Sequence, residues 1–276
     1  RRAPGAGPLR VCAVEVGHVP DWAAGARRHA QRLVARHGGE WDTRCFGPAT
    51  TFNELLSAVA ALNADPAVTG VLIGRPLPDG LSAKMLQQAV DPAKDIEGMH
   101  PSSIGRVVYG QKGEGDILWP CTAKASVEVL RQANVELGLG RDLQGLEALV
   151  VGNSDVLAKP IVSILHGEGA TVTVCCPNTA HNFAAYTRSA DAVFSAANAG
   201  VNTIRGDMLK PGSILIDLGL NVDAAGRFLG GDAEIESCQG VAAKVSTLLH
   251  GVGVVRSAVL FGNLVHASLA GAHKNK

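Results

Sequence analysis

The stretch from Leu149 to Pro160, read LVVGNSDVLAKP, holds residue types that can build an anion site. Val150 and Val151 are β-branched strand formers, and Gly152 lets the chain turn tightly where the strand ends. A helix opening near Ser154 would turn the amides of Ser154 to Val156 outward, where the positive end of a helix favours a pyrophosphate. The glycine pattern is incomplete: Ser154 stands where a second glycine of G-x-G-x-x-G would be, and Asp155 brings a carboxylate where phosphate would be repelled. On these residues alone, a dinucleotide site and a purely structural strand-turn-helix both stay open.

Composition narrows the other chemistries. The six cysteines, Cys12, Cys45, Cys121, Cys175, Cys176 and Cys238, have no C-x-x-C spacing, which argues against a metal site or a disulfide framework and for buried thiols in a reducing compartment. The 276 residues carry 25 basic and 25 acidic side chains with no long charge run, so no nucleic-acid surface is expected; a small neutral ligand or a protein partner fits better. No apolar run is expected to reach the roughly 20 residues of a membrane helix, so the chain is read as soluble and not membrane-spanning. The opening Arg1-Arg2-Ala3-Pro4-Gly5 fits a processed precursor, such as one imported into the mitochondrial matrix, or a trimmed cytoplasmic protein.

The elements that must position such a site alternate along the chain as an α/β protein with parallel strands requires. Val11 to Val16 reads as a strand and Ala23 to Ala35 as a helix whose exposed side carries Arg27, Arg28, Gln31 and Arg32. Thr51-Phe52-Asn53-Glu54 is a capping box ahead of a helix that ends at Asn63-Ala64-Asp65-Pro66, and Gly70 to Ile73 is a short buried strand running into a proline-rich loop. Ala148 to Val151, Thr171 to Cys175, Ala192 to Ala196 and Ser213 to Leu218 read as four strands of a doubly wound second half. The expected division is a first domain over 1–118, to which a helix over 254–276 returns, and a nucleotide-binding domain over 119–253. Small molecules commonly bind in a cleft between such halves.

Motifs along most of the chain resemble the methylenetetrahydrofolate dehydrogenase/cyclohydrolase family. They include Val16-Gly17-x-x-Pro20, Leu62 to Val68, Val71-Leu72-Ile73-x-x-Pro76-Leu77-Pro78, Lys94-Asp95-Ile96-Glu97-Gly98-Met99-His100-Pro101 and Pro120-Cys121-Thr122. The Gly152 turn, Ile216 to Asn221, Gly231-Asp232 and Gly251-Val252-Gly253 follow in order. The resemblance implies two lobes, a small folate-type α/β lobe and a Rossmann-like, doubly wound parallel-sheet lobe for NAD(P), and a homodimer formed through the nucleotide lobes. Thr122, Gly152, Asn153, Ser154, Val156 and Asn198 are then the candidate cofactor contacts.

The chain also departs from that pattern. Where the family has a Tyr that stacks on the pterin and a Lys that drives proton transfer, this sequence has Gly25 and His29. Gly74 stands for the Gln that positions the Lys, and Glu97 for the Asp that binds the pterin. His29 is readable as a repurposed acid/base, because imidazole titrates near neutrality, or as a solvated residue among Arg27, Arg28 and Arg32. Asn153 and Cys176-Pro177-Asn178 offer no cation to a ribose phosphate, which favours NAD over NADP, or no dinucleotide at all. Only Arg1 to Arg10 precede the first strand, where the family carries a helix.

Groups that act as a unit fail together, so these losses favour a catalytically degenerate member with no catalytic residues of its own. Such a chain would serve as an accessory subunit of a larger hetero-oligomeric assembly, with folate binding in doubt. The alternative is an active NAD(P)-dependent methylenetetrahydrofolate dehydrogenase, since the cofactor itself carries the hydride chemistry.

Overall fold

The computed structural model describes residues 9–110, 118–176, 181–198 and 200–274. The expectations placed on Arg1 to Pro8, on 111–117 beside the expected domain division, and on Pro177 and Asn178 lie outside the described residues. The chain divides into two compact units, Arg1–Cys121 with Ser257–Lys276, and Thr122–Arg256.

In chain order the elements are β1 (Arg10–Val16), α1 (Asp21–Arg36), β2 (Glu40–Phe46), α2 (Phe52–Ala64), β3 (Gly70–Ile73), α3 (Ala83–Gln88) and α4 (Pro101–Val108). Then come α5 (Cys121–Glu136), β4 (Glu147–Val151), α6 (Ala158–Gly167), β5 (Thr171–Cys175), α7 (Phe183–Ser189), β6 (Ala192–Ser195) and β7 (Ile214–Asp217). The last are β8 (Asn221–Val222), β9 (Phe228–Gly230), α8 (Ile235–Gln239), β10 (Lys244–Thr247) and α9 (Gly253–Lys274).

In the first unit a parallel sheet of order β2-β1-β3 places the apolar run of β1 in the middle. Cys12, Val14 and Val16 turn to one core with Leu55, Val59, Leu62 and Ile73. Val11 turns to the other with Ala30, Val34, Leu260 and Leu264. The capping box of α2 forms as expected: Glu54 N donates to Thr51 Oγ1 at 3.3 Å and Thr51 N to Glu54 Oε2 at 2.7 Å. At the other end of α2, Lys94 Nζ donates to the carbonyls of Leu62, Asn63 and Asp65 at 2.9, 2.8 and 2.7 Å, and burial lowers its pKa. A lysine thus satisfies the acceptors that every helix C-terminus leaves open. Over Gly253–Gly271, α9 is long and apolar enough to cross a membrane by length and composition, contrary to the reading of the sequence. Its Leu260, Leu264 and Ala267 lie in the core of this unit.

In the second unit five parallel strands run β10-β7-β6-β4-β5, beside a short antiparallel β8–β9 ribbon. The chain is therefore a two-domain α/β protein whose second sheet is Rossmann-like. α6 begins at Ala158, not near Ser154, because Asp155 to Leu157 form a turn first and Lys159 N reaches back to Ser154 O at 3.1 Å. None of the six cysteines is in a disulfide: Cys12 and Cys121 are buried in the first unit, Cys175 and Cys238 in the second, Cys45 is exposed and Cys176 half-buried.

Candidate functional site

Both sheets reverse their direction of growth beside their first strand, and ligands of open α/β sheets bind at the carboxyl ends of the strands flanking such a point. In the first unit that point lies between β1 and β3. Gly17, just past β1, has φ +70°, and a Cβ there would lie 3.4 Å from Pro78 Cγ and 3.7 Å from Pro48 Cβ, so the loops following all three strands meet here.

The side chains gathered at this edge include three that the sequence did not single out as site residues, Glu15, Arg27 and Arg75. Glu15, the penultimate residue of β1, is only 7% exposed. Its carboxylate is ion-paired to Arg27. Arg27 reaches it because α1 turns Arg27, Ala30 and Val34, three and four residues apart, toward the sheet. The assignment of Arg27 to the exposed side of α1 was therefore wrong; a buried carboxylate outweighs the pattern of its charged neighbours. Gly74, next to Ile73 of β3, leaves the space: a Cβ there would come within 3.0 Å of both Glu15 Cγ and Val14 O. Arg75 follows, with Nε and Nη2 enclosed and no acceptor for either among the described residues.

Gly25 and His29 are half-buried on α1, and His29 makes no hydrogen bond among the described residues. Glu97 is 3% exposed, two residues beyond the Asp95 bridge to Val71 of β3, and so continues along the same edge. Asp95 anchors that segment by accepting from Gln87 Nε2 at 2.8 Å, His100 N at 2.7 Å and Ser103 Oγ at 3.0 Å; burial pushes its carboxyl up. Gly98 has φ +66° and packs against the Trp119–Pro120 backbone, where a side chain has no room. Thus Lys94 caps α2, Asp95 ties the loop to α4, and Glu97 is left at the sheet edge.

In the second unit the reversal lies between β4 and β6. Gly152 ends β4 with φ +126°, and a Cβ there would be 2.5 Å from Ala196 O, so the loops after the two strands touch. Asn198 stands on the second loop at φ 50°, and its Oδ1 accepts Leu220 N at 2.8 Å. Asp232 holds that loop from beneath: Oδ2 accepts Ser195 Oγ at 2.5 Å and the amides of Ala197 and Asn198 at 3.2 and 3.3 Å, while Oδ1 accepts Asn221 Nδ2 at 2.9 Å. Asp217 accepts the amides of Gly219, Asp232 and Ala233 at 2.9, 3.1 and 3.1 Å; burial nevertheless raises its pKa.

Gly152 and Asn198 are thus brought to one edge. Asn153 is exposed beside Gly152, and Ser154 and Val156 are half-buried in the turn before α6. Thr122 lies in the first turn of α5, and no hydrogen bond among the described residues joins it to the Gly152 turn. The carboxylate of Asp155 pairs with Lys159, which offsets the repulsion expected of it. A glycine with no room for Cβ against a loop whose amides are held by buried carboxylates fits a dinucleotide, whose phosphates need close backbone approach. No cluster of His, Cys, Asp and Glu suited to a metal occurs among the described residues.

Sequence reasoning missed Glu15, Arg27 and Arg75. The signal for Glu15 was present, as a lone carboxylate inside VCAVEV must be paired once the strand is buried.

Residues 120–271 match the tetrahydrofolate dehydrogenase/cyclohydrolase NAD(P)-binding domain, and residues 10–97 match the catalytic domain of the same family. The chain is 44% identical over 242 residues to bifunctional protein FolD 2 of Mesorhizobium japonicum, covering 86% of this chain and 75% of the relative. Among solved structures it resembles the bifunctional methylenetetrahydrofolate dehydrogenase/cyclohydrolase FolD of Campylobacter jejuni, with a TM-score of 0.82, 27% identity, and coverage of 96% of this chain and 89% of that one. The corresponding enzyme of Trypanosoma brucei, solved with NADP and an inhibitor, gives a TM-score of 0.83 at 25% identity, covering 95% and 86%.

These likenesses overturn the expectation of a catalytically degenerate accessory subunit: the chain is 44% identical to a protein named as bifunctional and shares the fold of a bifunctional enzyme. The expectation counted four replaced positions alone, whereas the same sheet edge also carries the Glu15–Arg27 ion pair and Arg75. The option of no dinucleotide falls as well, since the second domain is of the NAD(P)-binding type. Bifunctional protein FolD 2 of Mesorhizobium japonicum is bacterial, and a mitochondrial location has no support.

Proposed function

The chain belongs to the tetrahydrofolate dehydrogenase/cyclohydrolase family, and from that premise we propose that it is an active NAD(P)-dependent methylenetetrahydrofolate dehydrogenase of the bacterial cytoplasm. The observation that carries this reading is the Gly152 turn against Ala196 O, with Asp232 fixing the amides of the facing loop. Gly152, Asn153, Ser154, Val156, Asn198 and Thr122 are the residues proposed to line the dinucleotide. The bound cofactor supplies hydride acceptance, and the chain's part is to hold it and orient the folate. The edge of the first sheet, with Glu97, is proposed to bind the folate ring.

NAD is proposed to bind at least as well as NADP, because Asn153 offers no cation to a ribose phosphate and Lys159 is engaged with Asp155. Calorimetric titration with each cofactor decides this; tenfold tighter NADP binding would overturn it. For the hydrolytic half of the family's chemistry, replacing a positioned Lys by His29 removes an amine whose loss typically costs about 10²- to 10⁴-fold. We therefore expect methenyltetrahydrofolate hydrolysis to be slower than hydride transfer. The test is a steady-state assay of the purified chain with methylenetetrahydrofolate and NAD or NADP, followed by formation of the reduced cofactor. Turnover supports the reading, and its absence with both cofactors would refute it. A homodimer through the second unit is also proposed, resting on the apolar Val222, Phe228 and Leu229 that the β8–β9 ribbon leaves exposed. Sedimentation as a monomer would count against it.

A further inference from the structure

Helix α1 carries the arginines Arg27, Arg28, Arg32 and Arg36 against one acid, Asp21, in a chain whose charges balance at 25 of each sign. Arg27 is paired with Glu15. Arg28, Arg32 and Arg36 are exposed, and their side chains have no ion-pair or hydrogen-bond partner among the described residues. Four residues apart, they form a stripe along one face of the helix. Like charges at that spacing destabilise a helix, and only Arg36, in the last turn, is favoured by the C-terminal dipole. On α5, by contrast, Lys124 and Arg131 both meet Glu128. An unrelieved stripe suits an anion whose charges are themselves regularly spaced.

The stripe leads away from the carboxyl edge of the first sheet. α1 follows β1 and returns to β2, whose Glu40 is in register with Arg10 at the start of β1, so the first turns of α1 lie at that edge. Helix side chains lean toward the N-terminus, and Arg28 does so over Gly25, where a Cβ would lie 3.8 Å from its Nη2.

We propose that Arg28, Arg32 and Arg36 bind the glutamate tail of the folate, taking successive carboxylates of a γ-linked oligoglutamate. This inference rests on the folate reading above and adds to it the part of the substrate that lies beyond the ring. Four residues of helix rise by about 6 Å. An extended γ-glutamyl unit has five main-chain bonds and repeats at roughly 6 Å from ordinary bond lengths, so the charges match in spacing as well as in sign. Guanidinium forks are also the side chains best shaped for carboxylates. From Arg28 to Arg36 the helix has no Phe, Tyr or Trp on which bases could stack, which favours a peptide-like tail over a nucleic acid.

The test measures, by calorimetry, binding of tetrahydrofolate and of its γ-linked triglutamate to the full chain. Wild type is compared with Arg32→Gln, with a triple variant carrying Arg28→Gln, Arg32→Gln and Arg36→Gln, and with Arg227→Gln, which removes an exposed cation from the second unit. Wild type is expected to bind the triglutamate at least about fivefold tighter at low salt, as two further exposed ion pairs allow. Most of that preference disappears in about 1 M salt, where the screening length is about 3 Å. The triple variant binds both compounds alike, Arg32→Gln keeps part of the preference, and Arg227→Gln keeps all of it. NAD binding does not change in the triple variant, and its ligand-free melting temperature equals or exceeds that of wild type, because the like charges are gone. If wild type binds the two folates alike, or the triple variant keeps the preference, this inference fails while the folate reading stands. It fails too if an oligonucleotide of equal charge displaces the triglutamate as well as ring-free oligo-γ-glutamate does, since the stripe is then a general polyanion surface. If wild type binds neither folate, the folate reading fails and takes the inference with it.

Discussion

Restoring the family's glutamine at position 74 is expected to harm this chain. A side chain there begins 3.0 Å from Glu15 Cγ and Val14 O, so Gly74→Gln should lose about 1–3 kcal/mol of stability by overpacking a buried charge. Glu15→Ala removes the Cγ that the new side chain meets, so in the same molecule the two losses should fall short of their sum, with a coupling of about 1 kcal/mol measurable by denaturant unfolding of the four variants. Additive losses would show that positions 15 and 74 are not in energetic contact. Gly152→Ala tests the other site: φ +126° and the 2.5 Å approach to Ala196 O predict a cost of about 1–3 kcal/mol and loss of dinucleotide binding. Calorimetric titration at unchanged affinity would rule out close backbone contact with the cofactor.

At the scale of elements, the C-terminus of α2 depends on a residue from a distant loop. Lys94→Met orphans three carbonyl acceptors and should cost about 1.5–3 kcal/mol, with faster amide exchange confined to the last turn of α2. Uniform loss of protection would instead mean that the loop, not the cap, is the weak point. The legibility of the elements follows the same physics. β1, β3 and β5 could be read from the sequence because runs such as VCAVEV, GVLI and TVTVC are β-rich and bounded by turn residues. The capping box was legible because Thr51 and Glu54 carry their mechanism in their spacing. β2, EWDTRCF, was not, since it is a sheet-edge strand full of charge and mostly open to water, and β10, KVST, has no strong pattern. The start of α6 was displaced because the turn at Asp155 to Leu157 delays the helix, which no single residue announces. Arg75 gave no signal at all: only its position after Gly74 reveals an enclosed guanidinium.

For the whole molecule, acid should act on the two units differently. In the second unit Glu128 is partly buried, which opposes ionisation, yet Lys124 at 2.9 Å, Arg141 at 3.0 Å and Arg131 at 3.8 Å hold its pKa below the ordinary value. A depressed carboxyl binds fewer protons folded than unfolded, so its contribution is full above the unfolded pKa of about 4.3 and is lost as pH falls through the folded value. Asp95 in the first unit runs the other way: burial raises its pKa, so its folded state gains as pH falls through the folded value toward the unfolded one. Glu128→Gln should therefore flatten the acid decline of the second unit's transition, and an unchanged decline would exclude the Glu128 cluster as its source. Observing that requires telling one unit's opening from the other's, and the thiols provide the means. Two cysteines are sealed in each unit, and burial raises the pKa of Cys12 in the first and of Cys238 in the second, so neither reacts until its own core opens. Exposed Cys45 marks the unprotected rate. Mass-resolved alkylation would then act as a pair of clocks in one chain. Equal rates at Cys12 and Cys238 mean that the lobes melt as a single cooperative body, and unequal rates mean that one lobe can breathe while the other keeps its shape.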